Sequence, residues 1–173
     1  KYFSEYNHTV GQVLLTRYSL DDPESRQNVR NTFEALFGMG AIPVVNENDT
    51  VATAEIKVGD NDTLSAIVTQ IIQADALIIL SDIDGLYTAD PAKDAAARLV
   101  PEVREITDAL MDTASGAGSS RGTGGMLTKL TAGRIALAAG ADMYIVNGKN
   151  PDVLYDLTEG KPAGTHFIAR EGC

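Results

Sequence analysis

The sequence predicts an α/β fold with a mostly parallel sheet, and three observations lead to this prediction. Strand and helix signals alternate along a chain of 173 residues, a length that suits one domain. Residues 76–80 form an unbroken apolar run, which is typical of a strand buried in a parallel sheet. The content of 44% hydrophobic and 22% charged residues is that of a globular protein.

The first part of the chain predicts a strand, a helix and a second strand. Asp22 precedes Pro23, and this pair indicates a helix whose first residue is proline. An apolar stripe at positions 29, 33, 36 and 37 continues that helix to a stop at Gly38 or Gly40. The other predicted elements are strands at 10–15, 42–45, 76–80, 143–146 and 164–168, an edge hairpin at 54–58, and helices at 64–72, from 107, at 127–139 and at 153–157.

Charge and composition exclude several classes of function. The net charge of −10 argues against a nucleic-acid partner, because phosphates attract lysine and arginine. No apolar run reaches the ~18 residues of a membrane helix, so no membrane association is expected. The lone cysteine, Cys173, excludes an internal disulfide and favours a reducing compartment, which we expect to be the cytoplasm.

Asparagine and aspartate are concentrated where predicted strands end, at 46–49, 60–62 and 81–87. Such residues also form ordinary turns, and one cluster alone would be read that way. Three clusters are more informative, because ligands of open α/β sheets bind at the carboxyl ends of the strands. The sequence therefore predicts a binding site at this edge of the sheet.

A glycine-rich segment at 122–129, Gly-Thr-Gly-Gly-Met-Leu-Thr-Lys, leads into a predicted helix. Glycines let backbone N–H groups approach an anion, and the helix N-terminus also favours negative charge. The spacing is neither that of a Walker A loop nor that of a dinucleotide fingerprint. A flexible surface loop is an equally good interpretation of the glycines alone.

The two kinds of cluster suit different parts of a ligand. Carboxylate and amide groups such as Asp49 and Asn61 suit an ammonium group, whereas the glycine-rich segment suits phosphate. Phosphoryl transfer requires positioning and cations near the oxygens that gain charge. Lys129 is a candidate cation, and an aspartate such as Asp62 would orient it and keep it charged.

Two motifs resemble those of a known family. The run Asp84-Gly-Leu-Tyr87 followed by Asp90-Pro91 resembles the nucleotide-side motif of the amino acid kinase superfamily. Segments 46–65 and 119–140 more narrowly resemble the substrate region and glycine-rich signature of glutamate 5-kinases (gamma-glutamyl kinases). The resemblance implies a three-layer αβα sandwich and covers about residues 10–167.

The resemblance also implies roles for individual residues. Glutamate would be bound by Asp49 and Asn61, with Asn46 and Asp60 in support. Lys129 and Asp62 would be catalytic, the lysine on the transferred phosphoryl group and the aspartate organising the lysines. ATP would contact Ser81, Asp82, Thr123, Gly124, Gly125, Met126, Leu127, Thr128 and Lys129. Mg²⁺ would be held mainly by the nucleotide phosphates, with no protein metal site.

The implied reaction converts ATP and L-glutamate to ADP and L-glutamate 5-phosphate, the first step of proline synthesis. Proline inhibition and a homo-oligomer are implied by the family only. Residues 1–173 resemble the nucleotide part and a substrate segment of the kinase domain, so an incomplete kinase without a PUA domain is expected. Another kinase of the superfamily and a non-catalytic nucleotide or amino-acid binder remain the alternatives.

Four further residues stay outside this scheme. His8 and His166 are far apart in the sequence and are expected to have no base or metal partner nearby, and neither is expected to be catalytic. Lys57 is either an edge-strand lysine or a residue facing the site. Arg121 either steers phosphate or is solvated.

Overall fold

A computed structural model describes residues 2–51, 58–116 and 125–169. Helices and strands alternate along most of this part of the chain, as predicted. The strands are β1 (Val10–Leu15), β2 (Ile42–Glu47), β3 (Ala76–Ser81), β4 (Glu102–Val103), β5 (Asp142–Asn147) and β6 (Thr165–Phe167). The helices are α1 (Tyr2–Glu5), α2 (Arg17–Asp21), α3 (Pro23–Gly38), α4 (Asn61–Ile72), α5 (Asp108–Gly116), α6 (Met126–Ala138) and α7 (Val153–Thr158).

The strands form two sheets within the described residues rather than the single sheet that was expected. Strands β1 and β2 pair in parallel, and the second sheet has the order β3-β5-β6-β4. Pairing is parallel except between β5 and β6, which are antiparallel. The prediction of a mostly parallel α/β fold is therefore confirmed.

Helix α3 covers one face of the first sheet. It begins as predicted, because the Asp22 carboxylate accepts a hydrogen bond from the Ser25 N–H at 2.8 Å and Pro23 has no N–H that would need an acceptor. Val29 and Phe33 of this helix are buried in a core shared with β1 and α4. The opposite face of the sheet is exposed at Val10, Leu14, Ile42 and Val44.

The second sheet lies between helices on both faces. Met143, Ile145 and Phe167 are fully buried in a core shared with α6. Gly133 of α6 is needed there, since a Cβ atom would lie 2.7 Å from Ile106 Cδ1 and 2.8 Å from Met143 Cε. On the other face, Leu157 of α7 lies with Tyr144 and His166 around a separate cavity.

The structure extends or adds several elements. Helix α4 begins at Asn61 rather than at 64, because Asp60 caps it through a 2.7 Å bond from the Thr63 N–H. The short elements α1, α2 and β4 carry too little periodicity to be predicted. The predicted hairpin at 54–58 lies almost entirely outside the described residues. No helix in the described ranges is long and apolar enough to cross a membrane.

The loop after β3 is fastened to β6. Thr165 is fully buried, and its hydroxyl accepts the Leu86 N–H at 2.8 Å and donates to the Val100 carbonyl at 2.6 Å. The preceding Gly164 has φ +60°, and a Cβ atom there would overlap the carbonyl oxygen of Ile145. These contacts join the residues that follow β3 to the second sheet.

Candidate functional site

A cavity of about 430 Å³ opens at the carboxyl end of β2 and the N-terminus of α4. It brings together most of the residues that were predicted to bind substrate or to act on it. Its lining residues are Asn46, Glu47, Asp49, Gly59, Asp60, Asn61, Asp62 and Lys129. Segments separated by up to 83 positions in the sequence, from Asn46 to Lys129, thus meet at one place.

An ion pair between Asp62 and Lys129 lies at the centre of this site. The Lys129 ammonium is 3.1 Å from the Asp62 Oδ2 atom, and the two side chains are only 8% and 17% exposed. Lys129 is one of three buried polar or charged residues among those described. Removal of either partner would leave a charge with little water around it, so the two side chains depend on each other in this site.

Two helix N-termini converge on the same carboxylate. Asp62 is the second residue of α4, and Lys129 belongs to the first turns of α6. Both helices direct the positive ends of their dipoles toward this point, which favours anions. Gly125 precedes α6 and has no side chain to cap the N–H groups of Met126 and Leu127. A phosphate group is the kind of ligand that such an N-terminus binds.

Other acidic residues of the cavity also support its framework. Asp60 uses both carboxylate oxygens on Thr63, one on the N–H at 2.7 Å and one on the hydroxyl at 2.8 Å. Glu47 accepts the Val58 N–H at 2.7 Å and thereby ties the end of β2 to the chain that leads into α4. Sequence reasoning assigned no role to Glu47, because nothing local indicates a partner 11 positions away.

The described lining of the cavity carries four carboxylates and one ammonium group. Such a site attracts a cationic group and repels an unaccompanied phosphate. An ammonium-bearing ligand therefore suits the end near Asp49, while a phosphate requires Lys129, the α6 N-terminus and counter-cations. Within the ranges that the structure describes, no group of three or more metal-ligating side chains could hold a metal ion.

Ser81 and Asp82 lie outside the lining of this cavity, at the carboxyl end of β3. The Ser81 hydroxyl donates to Asp82 Oδ1 at 3.3 Å, and the Ser81 carbonyl accepts the Gly148 N–H at 2.8 Å. The end of β3 is thus joined to the loop that follows β5. The predicted contact of these residues with a nucleotide stays a prediction.

Beside them lies the Asp84 cluster, which consists of Asp84, Tyr87 and Asn147. Asn147 Nδ2 donates to one Asp84 oxygen at 2.7 Å, and the Tyr87 hydroxyl donates to the other at 3.0 Å. These bonds lower the pKa of Asp84, with the amide of Asn147 as the main cause. The bond to Asp84 in turn raises the pKa of Tyr87. Asn147 was missed because its partner is 63 positions away.

Some predicted site residues have no described position. Thr123 and Gly124 fall in the range 117–124, and so does Arg121. Lys57 falls in the range 52–57. Their predicted roles stay open for this reason.

The expectation that His166 lacks a neighbouring acidic group is wrong. Its Nε2 atom lies 2.7 Å from Asp142 Oδ2, and its ring stacks on Tyr144 with a centroid distance of 4.2 Å. Asp142 begins β5 and His166 lies in β6, so only the pairing of these strands brings the two side chains together. None of these residues lines the cavity that contains the Asp62–Lys129 pair.

Comparison with known proteins agrees with the fold. A family model described as "Amino acid kinase family" matches residues 1–147. A glutamate 5-kinase of Clostridium perfringens is 50% identical over 176 aligned residues, which include 99% of this chain and 65% of that protein. A glutamate 5-kinase of Listeria welshimeri is 52% identical over 175 residues, covering 99% of this chain and 63% of the relative. The chain thus spans slightly less than two thirds of these relatives.

Solved structures resemble the model at low sequence identity. An isopentenyl phosphate kinase of T. acidophilum has a TM-score of 0.64 at 18% identity, covering 95% of this chain and 62% of the other. A UMP kinase of Ureaplasma parvum has a TM-score of 0.62 at 12% identity, again covering 95% and 62%. These similarities establish the shared fold.

Proposed function

We propose, since this chain belongs to the amino acid kinase family, that the complete protein phosphorylates the side-chain carboxylate of L-glutamate with ATP. The products are ADP and L-glutamate 5-phosphate. The observation that carries this proposal is the nearly buried Asp62–Lys129 pair, which joins an acidic cavity to the N-terminus of α6. The 50% identity to glutamate 5-kinases supports glutamate as the acceptor.

The chemistry of this transfer matches the groups in the site. A glutamate carboxylate is ionised at neutral pH, because the usual pKa of that group is about 4.3. One of its oxygens bonds to the γ-phosphorus while the bond from that phosphorus to the β,γ-bridging oxygen breaks, and ADP leaves. No proton has to be removed from the acceptor. The site therefore requires cations and alignment rather than a general base.

Lys129 is the candidate catalytic residue. Its ammonium group would lie against the phosphoryl oxygens, where negative charge is shared between acceptor and leaving group. Asp62 would hold that ammonium group in place through the 3.1 Å ion pair, which makes it a positioning residue. Backbone N–H groups from Gly125 to Leu127 would hold the neighbouring phosphates.

Glutamate would occupy the acidic end of the cavity. Asp49 would accept hydrogen bonds from the α-ammonium group, and the amides of Asn46 and Asn61 would hold the carboxylates. Asp60 would act indirectly, since both its oxygens are engaged by Thr63. Mg²⁺ would be bound mainly by the ATP phosphates and would offset the acidic character of the cavity.

The nucleotide would extend from the α6 N-terminus toward Ser81, Asp82 and the Asp84 cluster. Parallel strands β3 and β5 end side by side there, which is the usual position for a ligand of an α/β sheet. Inhibition by proline, assembly into a homo-oligomer and a cytoplasmic location belong to the same proposal.

The direct test is an acceptor comparison on the complete protein. ATP is supplied with L-glutamate, L-aspartate, N-acetyl-L-glutamate or UMP, and ADP release is measured together with hydroxamate formation from any acyl phosphate. We expect turnover and hydroxamate with L-glutamate. A higher kcat/KM for another acceptor would assign the protein to a different kinase activity.

A non-catalytic binding protein is the second possibility to test. Calorimetry on the complete protein would then detect binding of ATP or glutamate without ADP release in the first assay. Turnover at a rate that depends on Lys129 would exclude this possibility.

A further inference from the structure

We infer that Thr128 is a positioning residue, whose hydroxyl aligns the Asp62 carboxylate for Lys129 rather than binding the nucleotide. This inference rests on the proposed function, since it names a residue that prepares the same lysine. The motif alone places Thr128 among the nucleotide contacts, because it lies within the glycine-rich segment. The side-chain hydrogen bonds of Thr128 instead indicate a contact with Asp62.

The Thr128 Oγ1 atom lies 2.8 Å from Asp62 Oδ2. The Lys129 ammonium lies 3.1 Å from the same oxygen. Two consecutive residues of α6 therefore bind one oxygen of a carboxylate that is 66 and 67 positions away in the chain. Two donors on one oxygen leave the carboxylate much less freedom to rotate than the lysine alone would.

The hydroxyl hydrogen of Thr128 has two nearby acceptors. The Gly125 carbonyl oxygen also lies 2.8 Å from Oγ1, but it already accepts the backbone N–H of Thr128 at 3.2 Å. A carboxylate is the stronger acceptor of the two. The hydrogen is therefore best used on Asp62, and it is not available to a phosphate oxygen.

A control threonine is present on the same helix. Thr131 donates its hydroxyl hydrogen to the Leu127 carbonyl at 2.9 Å and is partly buried. It thus shares the helix and the bond to a preceding carbonyl, but its hydroxyl is not bonded to any carboxylate of the described residues. Substitution of each threonine by valine removes one hydroxyl from α6, and only the change at 128 removes a hydrogen bond to Asp62.

The experiment compares Thr128→Val, Thr128→Ser and Thr131→Val in the complete protein. We expect Thr128→Val to lower kcat about tenfold, the size expected for one hydrogen bond to a charged group. The KM values for ATP and glutamate and the thermal midpoint should match those of Thr131→Val. Thr128→Ser, which keeps the hydroxyl, should restore most of the wild-type kcat.

The double variant with Asp62→Asn separates the two possible roles of Thr128. If the hydroxyl acts through Asp62, Thr128→Val causes little further loss of kcat once Asp62 is asparagine. A nucleotide-binding role would instead raise the KM for ATP and weaken ADP binding in calorimetry, and the losses would add. That result would overturn the inference.

A crystal structure of Thr128→Val tests the inference without any activity. We expect the Lys129 ammonium to move from 3.1 Å to beyond 4 Å from Asp62 Oδ2, the limit of an ion pair. An unchanged pair would contradict the inference even in an active enzyme. Absence of glutamate turnover in the wild-type protein would contradict the proposed function alone, and the crystal structure would still decide the role of Thr128.

Discussion

The site around the Asp62–Lys129 pair, called here the Asp62 site, and the Asp84 cluster share one arrangement of hydrogen bonds but differ in what that arrangement can do. In each, one aspartate near the end of an element receives hydrogen bonds from other side chains. At least one of these donors lies more than 60 positions away in the sequence. Asp62 is mostly buried and receives a charged donor, Lys129, whereas Asp84 is exposed and receives the neutral groups of Tyr87 and Asn147. A charged donor in a site that excludes water can stabilise charge on a reacting group, whereas neutral donors at the protein surface only hold a loop in place.

The first prediction removes the charged donor of the Asp62 site. Lys129→Ala in the complete protein should lower kcat by about 10²- to 10³-fold, the effect of removing one preorganised donor from a transition state. The KM for glutamate should change little, because the lysine acts on the transferred group. Steady-state kinetics of ADP release measure both values.

Lys161→Ala is the matched control for this change. Lys161 also pairs with carboxylates, at 3.1 Å to Asp156 and 2.7 Å to Glu159, but its side chain is 58% exposed. Exposed pairs contribute little to stability, so this variant should keep its activity. Equal losses in both variants would show that the burial of the Asp62 pair has no catalytic meaning.

The second prediction disturbs the support of the Asp84 cluster and leaves the Asp62 site in place. Gly164→Ala forces a side chain into φ +60° and against the Ile145 carbonyl oxygen. We expect a loss of about 2–3 kcal/mol in the free energy of unfolding, from backbone strain and overpacking together. Urea denaturation followed by circular dichroism measures it.

Gly160→Ala provides the comparison for Gly164→Ala. Gly160 also has positive φ, +74°, but no atom lies within 4 Å of an added Cβ. The smaller loss expected there reflects backbone strain alone, so the difference between the variants isolates the steric part. Similar losses would mean that the close contact at Gly164 is relieved by movement.

The third prediction tests whether Asn61 binds the substrate rather than taking part in catalysis. Asn61→Ala should raise the KM for glutamate about tenfold, the loss of roughly one hydrogen bond to a charged group, with a smaller effect on kcat. Asn31→Ala is the control, since Asn31 is an exposed helical asparagine that accepts a hydrogen bond from Gln27 and does not line the cavity. A fall in kcat without a change in KM would move Asn61 from substrate binding to catalysis.

The fourth prediction concerns the pKa of Asp84, and its expected effect is the smallest of the four. Its folded pKa lies below the ordinary value of 3.8, so its contribution to stability is present above that pH. The contribution is lost as the pH falls through the lowered pKa. Asn147→Ala removes the main cause and should raise the pKa of Asp84 toward 3.8, as carbon-13 NMR of the carboxyl group can measure. An unchanged pKa would show that Asn147 does not hold the carboxylate.

Much of the fold could be predicted because its signals are local. Asp22 and Pro23 identify the start of α3, and the apolar run at 76–80 identifies β3, each from neighbouring residues alone. The clusters at the strand ends were predictable for a related reason, since parallel strands place their carboxyl ends at one edge. The position of Asn46, Asp49 and Asn61 around one cavity confirms that two of the three clusters meet, whereas Ser81 and Asp82 lie outside its lining.

The parts that could not be predicted depend on pairing at long range. The bond from Val58 to Glu47, the His166–Asp142 pair and the Asn147–Asp84 bond each join residues that no local pattern connects. Division of the strands into two sheets was also missed, because the periodicity of a strand carries no information about its neighbour.

The sequence by itself determined the α/β class, the start of α3 and the residue types available for phosphate and ammonium binding. Only the tertiary structure decided which donors meet the Asp62 carboxylate. Packing of α4 against α6 places Thr128 and Lys129 on one oxygen, and Ala66 of α4 and Ala132 of α6 are fully buried in the same core. The sequence of the glycine-rich segment shows that a threonine and a lysine are available. The role of each depends on the direction in which the fold turns its side chain.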